Sequence, residues 1–154
     1  RTDIKLAITT IQEQIAALKK PGNLAYEDSG ATVQVSSEST YGSTPDRVLD
    51  GVTSAMMWQD GTPDKQPDWI TVRWPQPQTV GKVVIYTPSI ASLEVQVPEG
   101  EDFKTVATAA DCQDAVIEVA IAPAVQTDAL RILVTGLRPE HKYSEVWEVE
   151  AYAQ

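Results

Sequence analysis

The residues after Gly22 alternate between apolar and polar side chains in short stretches. Glycine, proline, aspartate and serine interrupt these stretches about every 8–12 residues, which is the spacing expected of strands joined by turns. Residues 92–97 are an example, because Leu93, Val95 and Val97 alternate with polar side chains. Two packed antiparallel sheets require one apolar and one polar face per strand. The pattern therefore predicts an all-β fold, a β-sandwich of about eight antiparallel strands.

The alternation also predicts where the strands lie and which side chains face the core. In residues 68–74, Ile70, Val72 and Trp74 point to one face, and the intervening residues Thr71 and Arg73 point to the other. The predicted strands are Thr32–Ser37, Asp68–Trp74, Thr79–Thr87, Ser92–Val97, Phe103–Thr108, Ala115–Ile121, Ala129–Val134 and Glu145–Ala153.

Residues 3–20 follow a different period and predict an α-helix that Pro21-Gly22 terminates. Steps of four and three residues form one apolar seam, which consists of Ile4, Ile8, Ile11, Ile15 and Leu18. We therefore divide the chain into an N-terminal helix, residues 1–22, and a sandwich, residues 23–154. The seam predicts burial against a neighbouring domain of the same polypeptide, against the sandwich, or against other copies in a trimeric coiled coil.

Charge and composition exclude several classes of function. Twelve basic and 22 acidic residues give a net charge of −10, so nucleic acids and anionic membranes are not expected partners. No apolar run approaches the roughly 20 residues of a membrane-spanning helix. The single cysteine, Cys112, cannot form an internal disulfide, and we interpret it as a small packed side chain. With one histidine and no nucleophile or phosphate-loop motif, the chain is not expected to be an enzyme.

The order of several motifs resembles one family of domains. The motifs are Asn23-Leu24-Ala25, Val48-Leu49-Asp50-Gly51 followed by Trp58, Asp68-Trp69-Ile70-Thr71-Val72, residues 80–86, residues 93–100, Leu130-Arg131-Ile132 and residues 147–152. Together they are similar to the discoidin or coagulation-factor type C domains, and most of all to the family 32 carbohydrate-binding modules of bacterial glycosidases. The resemblance implies a galactose-binding-like jelly roll that binds through loops at one end, without catalysis. It also implies an extracellular or cell-surface bacterial protein, in which this domain is accessory to a glycoside hydrolase.

The resemblance further implies a structural Ca²⁺ site. The two carboxylates would come from Asp50 and Glu148, and backbone carbonyls would come from Arg47, Val52 and Ala55. Calcium prefers six to eight such oxygen ligands. A simpler interpretation stays open, in which Asp50 caps the turn and Glu148 accepts ordinary hydrogen bonds.

A glycan site requires an exposed aromatic ring to stack on a sugar and polar groups to bind its hydroxyls. The candidates in or beside predicted loops are Tyr41, Trp58, Gln59, Asp60, His141, Lys142 and Tyr143. For Trp58, packing in the sandwich wall is the alternative interpretation. Galactose-binding relatives commonly carry an arginine and an asparagine in the loop after Tyr86, and residues 87–91 contain neither. The alternative function is therefore a structural or protein-interaction module that binds no sugar.

Overall fold

The computed structural model of the protein describes residues 4, 5, 7, 8 and 19–154. Within these residues the chain forms eight strands and two short 3-10 helices, Glu27–Ser29 and Pro45–Leu49. The strands are β1 (Thr32–Val35), β2 (Trp58–Gln59), β3 (Asp68–Tyr86), β4 (Ile90–Glu99), β5 (Asp102–Ala109), β6 (Val116–Leu137), β7 (Glu145–Val146) and β8 (Glu148–Tyr152). The predicted all-β class is confirmed.

Two long antiparallel strands, β3 and β6, build both layers of the sandwich. The first half of β3 pairs with β1 and with the second half of β6, which also pairs with β4. The second half of β3 pairs with β8 and with the first half of β6. Adding β5 beside β4 gives a five-stranded and a three-stranded layer. Strands β2 and β7 form a separate two-stranded ribbon.

The prediction of separate strands at 68–74 and 79–87, and at 115–121 and 129–134, was wrong, because each pair is one continuous strand. The pairing register shifts between Arg73 and Gln78 and again between Val80 and Lys82, which marks the bend of β3. Pro75 and Pro77 lie in the first of these irregular stretches. Proline cannot donate to a strand ladder, and it is tolerated where the ladder is interrupted.

The core lies between the two layers and follows the predicted alternation. Ile70, Val72 and Trp74 are all at most 5% exposed, as expected. Thr71 differs from the prediction, since it is 1% exposed although it points to the outer face. Its strand lies in the interior of the five-stranded layer, where Gln34 and Arg131 are its neighbours on either side, so a short side chain at this position is flanked by two longer ones.

The predicted N-terminal helix falls mostly outside the described residues. Residues 4, 5, 7 and 8 are helical, and the side chains of Ile4 and Ile8 are exposed. The remaining seam positions, Ile11, Ile15 and Leu18, are not among the described residues. In the part of the chain that is described, no helix is long and apolar enough to cross a membrane.

Residues 19–25, which we call the N-terminal strap, are attached to the three-stranded layer. Leu24 N–H donates to the Ala151 carbonyl at 2.7 Å. The ammonium of Lys20 forms an ion pair of 2.9 Å with Glu150, whose side chain is only 4% exposed, and donates a hydrogen bond to the Tyr86 hydroxyl. The strap thus contains residues on both sides of the predicted domain boundary at 22/23.

Candidate functional site

Five loops meet at one end of the sandwich, which we call the loop end. Backbone hydrogen bonds connect these loops to one another or to neighbouring strands. Thr87 N–H donates to the Ala115 carbonyl at 2.9 Å, and Arg138 N–H donates to the Ser89 carbonyl at 2.8 Å. The loops comprise residues 36–44, 60–67, 87–89, 110–115 and 138–144. Both layers terminate here, so the loop end is the surface on which side chains from distant parts of the chain come together.

A buried polar network joins the 60–67 and 138–144 loops. Asp60 and Ser144 are fully buried, and Asp68 is 2% exposed. Asp60 accepts hydrogen bonds from the Ser144 N–H at 2.6 Å and from the Thr62 N–H at 2.8 Å. Asp68 accepts one from the Ser144 hydroxyl at 2.8 Å. Burial raises the pKa of Asp68, and so does the nearby Asp60 charge, against the opposing effect of its hydrogen bonds to Ser144, Thr62 and Gln66.

Asp60 was predicted from the sequence to bind sugar hydroxyls, and the structure does not support that role. Its side chain is fully buried and its two oxygens accept hydrogen bonds from within the protein. A buried carboxylate is inaccessible to a ligand, and the hydrogen bonds that it accepts hold the loops in place.

Arg138 connects two further segments of the loop end, residues 88–90 and the turn that contains Asp114. Its guanidinium donates to the carbonyls of Ile90 at 3.0 Å, Pro88 at 3.3 Å and Asp114 at 2.5 Å. The planar guanidinium carries five N–H donors in a fixed arrangement. It can therefore donate to acceptors on separate segments of the chain at once. Arg138 is thus an organising residue of the loops.

The β2–β7 ribbon has one face that is buried in the core and one face that is partly exposed to solvent. Trp58 is fully buried and donates its indole N–H to the Ser37 carbonyl at 2.9 Å. The prediction of Trp58 as a stacking platform was therefore wrong, and its alternative, packing in the sandwich wall, is what the structure shows. On the other side of the ribbon the half-buried side chains of Gln59 and Glu145 are joined by a hydrogen bond of 3.0 Å.

Glu145 was not proposed as a site residue from the sequence. It belongs to a stretch that the alternation marked as a strand, and its neighbour across the ribbon is 86 positions away in the chain. The position of Glu145 two residues after Tyr143 was the available signal.

The remaining sequence candidates lie at the surface of the loop end. Tyr41 is 83% exposed, which makes its ring fully available to a ligand. His141 and Lys142 are exposed, and Tyr143 is half-buried. The Lys142 carbonyl accepts the Asp64 N–H at 2.8 Å, so the 138–144 loop lies directly against the 60–67 loop.

Two open grooves flank residues 110–114. The first has a volume of about 480 Å³, and its lining includes the carboxylates of Asp111, Asp114 and Glu118. The second, of about 400 Å³, lies between the same turn and Arg138-Pro139, and its lining is mainly apolar. The lining residues of both grooves lie in the described part of the chain, and none was a candidate from the sequence. The turn lies between the predicted strands that end at Thr108 and begin at Ala115, and its closely spaced acidic residues were the available signal.

Cys112 lies between these grooves. Its side chain is half-buried and packs against the core, which agrees with the interpretation as a packed residue. Burial raises the pKa of its thiol, which opposes formation of a reactive thiolate.

The two carboxylates of the predicted Ca²⁺ site are brought together by the structure. Glu148 is fully buried, and its Oε2 accepts the Gly51 N–H at 2.7 Å, whereas its Oε1 is buried and has no hydrogen-bond partner among the described residues. Burial raises the pKa of Glu148 to about 9, to which the nearby charges of Asp50 and Glu150 contribute. Asp50 Oδ1 accepts the Val52 N–H at 2.9 Å and thereby shapes the same turn. A buried carboxyl oxygen with no donor beside a second carboxylate fits a hard cation.

The side chains alone do not complete such a site. Among residues 4, 5, 7, 8 and 19–154, no group of three or more histidine, cysteine, aspartate or glutamate side chains is placed to hold a metal ion. A cation at Asp50 and Glu148 would therefore need backbone carbonyls, as the sequence predicted for Arg47, Val52 and Ala55.

Comparison with known proteins gives consistent results. A family model described as "F5/8 type C domain" matches residues 32–149. Chitosan-binding module 1 of a chitosanase/glucanase from Paenibacillus sp. IK-5 is 25% identical in sequence, and the alignment covers 84% of this chain and 98% of that module with a TM-score of 0.71. A search of curated proteins found no match to the chain.

Two other solved structures show the same fold at lower identity. Chitosan-binding module 2 of the Paenibacillus enzyme, in complex with chitotriose, is 22% identical over 84% of this chain and 99% of that module, with a TM-score of 0.71. The family 32 carbohydrate-binding module of C. perfringens NanJ, in complex with galactose, is 17% identical over 79% of this chain and 92% of that module, with a TM-score of 0.65. The resemblance noted in the sequence is confirmed.

Proposed function

Because this chain belongs to the F5/8 type C domain family, we propose that it acts outside the cell as a carbohydrate-binding accessory domain of a larger carbohydrate-active protein. The domain is a binding module and not a catalytic domain. The observation that carries the proposal is the 25% identity to chitosan-binding module 1 over 84% of this chain. Fold alone does not define a ligand, so the choice of sugar depends on the chemistry of the loop end.

The chemistry of the loop end favours a cationic amino sugar over galactose. The protein carries a net charge of −10, and three carboxylates line the larger groove. These charges attract a glucosamine oligomer, whose amino groups are positive at neutral and acidic pH. Residues 87–91 offer no arginine or asparagine for an axial galactose hydroxyl.

The proposed site extends over the loop end from the ribbon to the acidic groove. Tyr143 supplies a ring on which a sugar can stack, and Gln59 with Glu145 supplies an amide and a carboxylate for its polar groups. His141 and Lys142 lie exposed in the same loop as Tyr143, and Tyr41 is exposed on the 36–44 loop. A shallow site of this kind binds with affinities of about millimolar to micromolar, which is sufficient to keep an attached catalytic domain near a polymer.

Calorimetric titration with chitotriose, N-acetylchitotriose and galactose tests the proposal. We expect chitotriose to bind most tightly, and we expect its affinity to fall at higher ionic strength because the attraction is partly electrostatic. Asp111→Asn combined with Asp114→Asn should weaken chitotriose binding, whereas the matched pair Glu99→Gln and Asp102→Asn, at the opposite end of the sandwich, should not. Absence of binding to any of these sugars, or equal binding by both double variants, would contradict the proposal.

For the metal, we propose a structural Ca²⁺ held by Asp50 and Glu148. The unpartnered Glu148 Oε1 supports this, because a buried carboxyl oxygen without a donor is costly. The ion would neutralise the two acidic groups and fix the 47–55 turn. At about 100 times its dissociation constant, Ca²⁺ should stabilise the fold by about 2.7 kcal/mol.

Thermal unfolding with Ca²⁺ and with a chelator measures this effect. Glu148→Gln keeps the shape of the side chain and removes its charge, so it should leave the fold intact and abolish the response to Ca²⁺. Asp46→Asn, in the adjoining 3-10 helix, should keep the response. A wild-type melting temperature that does not respond to Ca²⁺ would exclude a structural Ca²⁺ at this site.

A second function, docking of the N-terminal segment on a neighbouring domain or another copy, is favoured by one observation. Ile4 and Ile8 are helical and are 64% and 49% exposed, so the described part of the seam is not buried against the sandwich. Light scattering of the isolated chain would detect self-association, and Ile4→Ser with Ile8→Ser should abolish it. A monomer at high concentration would exclude self-association and leave only a neighbouring domain as the partner.

A further inference from the structure

The network between the 60–67 and 138–144 loops contains two buried carboxyl groups, Asp60 and Asp68. A single hydroxyl, that of Thr62, lies between them. The Thr62 hydroxyl lies 3.1 Å from Asp60 Oδ2 and 3.2 Å from Asp68 Oδ1. A hydroxyl donates one hydrogen bond, so only one of these two contacts can use the Thr62 hydrogen. The other contact is a hydrogen bond only when a carboxyl oxygen carries a proton.

The pattern of donors identifies which carboxyl holds that proton. Asp60 accepts from the N–H groups of Ser144 and Thr62, which can only donate, so each of its two oxygens already acts as an acceptor. Asp68 has no backbone donor among the hydrogen bonds of this network, and its partners are the Ser144 hydroxyl, the Thr62 hydroxyl and the Gln66 side chain. A proton on Asp68 Oδ1 completes a chain in which Asp68 donates to Thr62 and Thr62 donates to Asp60. The raised pKa of Asp68, caused by burial and by the Asp60 charge, is consistent with this assignment.

We propose that a protonated Asp68 locks the 60–67 loop to the 138–144 loop, and that loss of this proton as the pH rises loosens both loops. The consequence for ligand binding rests on the proposed function, because these loops carry Tyr143 and border Gln59. Once Asp68 is ionised, two negative charges lie in one buried network, and the contact between Thr62 and one of them becomes repulsive.

The sign of the effect follows from linkage. A carboxyl whose pKa is higher in the folded than in the unfolded state binds more protons when folded, so stability falls as the pH rises through the interval between the two values. The interval begins at about pH 4, the ordinary pKa of an aspartate. The ionisable group that acts directly on Asp68 is Asp60. Asp64, Lys65, His141 and Lys142, in the same two loops, are exposed to solvent.

Hydrogen exchange of the Ser144 amide reports directly whether the two loops are held together. The exchange rate is corrected for its intrinsic pH dependence and compared with that of the Ile132 amide in the core. Between about pH 4 and about pH 8, protection of Ser144 in the wild type should fall by about tenfold for each unit by which the folded pKa exceeds the unfolded one. Asp68→Asn retains an N–H donor towards Thr62 and should keep Ser144 protected at every pH.

Asp60→Asn is the matched control. It replaces an oxygen that accepts N–H donors by an amino group, so it should lower protection at every pH. His141→Gln excludes the only histidine of the chain as the titrating group and should leave the wild-type profile unchanged. Equal pH profiles for the wild type and Asp68→Asn would overturn the proposal, and so would loss of the profile in His141→Gln.

A second experiment separates the lock from the proposed function. It measures the chitotriose affinity of the wild type and of Asp68→Asn at each pH and takes the ratio of the two affinities. Titration of the sugar affects both proteins equally, so it cancels in this ratio. A ratio that moves in favour of Asp68→Asn as the pH rises supports regulation of the site. If Ser144 protection behaves as expected and no glycan binds, the lock stands and the proposed function fails. If glycan binds with a constant ratio, the lock has no influence on the site.

Discussion

Replacement of Arg138 offers a direct test of how the loop end is held together. Its guanidinium donates to the carbonyls of Pro88 and Ile90, in one segment of the chain, and to that of Asp114 in another. Arg138→Ala removes all three bonds. Arg138→Lys retains the positive charge but replaces the planar fork by a single ammonium that cannot reach the three carbonyls together.

The magnitude follows from the number of bonds and from their exposure. A hydrogen bond contributes about 0.5–1.5 kcal/mol net, and more when one partner is charged. Arg138 is half-buried, and water can solvate part of what is lost, so we take about 1 kcal/mol for each bond. Arg138→Ala should therefore lower the free energy of unfolding by about 3 kcal/mol, which is about 6–12 °C in melting temperature for a domain of this size. Arg138→Lys should lose about two thirds of that amount.

Urea unfolding followed by tryptophan fluorescence measures these differences. Arg73→Lys is the control, because Arg73 is exposed and makes one side-chain hydrogen bond, to Gln34 at 3.3 Å. It should change the free energy of unfolding by no more than about 0.5 kcal/mol. If Arg138→Lys is as stable as Arg73→Lys, the charge of Arg138 matters and its geometry does not, and the organising role assigned to its fork is refuted.

Two further substitutions test other parts of the structure. Trp58→Phe loses the hydrogen bond to Ser37 and part of a fully buried ring, so it should destabilise by about 2 kcal/mol without changing glycan affinity; a selective loss of affinity would restore Trp58 as a platform. Lys20→Met leaves the buried Glu150 without its cation and should destabilise by about 1–3 kcal/mol in thermal unfolding. The control Lys19→Met removes an exposed ion pair and should have little effect; equal results would mean that the strap is not anchored through Glu150.

Periodicity was enough to predict the class of the fold and most of the core. Alternation placed Ile70, Val72 and Trp74 inside, because the side-chain period of a strand does not depend on its partners. It could not show that two predicted strands were halves of one, since the bend at residues 75–78 looks like a turn when only the local sequence is considered. The resemblance to a known family placed Asp50 and Glu148 together, which their separation in the sequence alone does not indicate.

The residues of the loop end were harder to predict because their roles depend on long-range contacts. Asp60 resembles a surface loop residue in the sequence, yet its carboxylate is buried by Ser144, 84 positions further along the chain. The exposure of a polar side chain is decided by such partners and not by its neighbours in the sequence. For the same reason the Gln59–Glu145 pair and the grooves beside residues 110–114 became visible only in the folded structure.

The continuity of β3 and β6 has a consequence for binding. Each strand runs through both layers, with 19 residues in β3 and 22 in β6, so neither layer can shift without moving the other. The ends of the loops that leave these strands are therefore mounted on one stiff frame, and the spacing between the loop ends does not change when a sugar is bound. A shallow surface that makes few contacts benefits from this, because none of its binding free energy is spent on bringing the two layers into position.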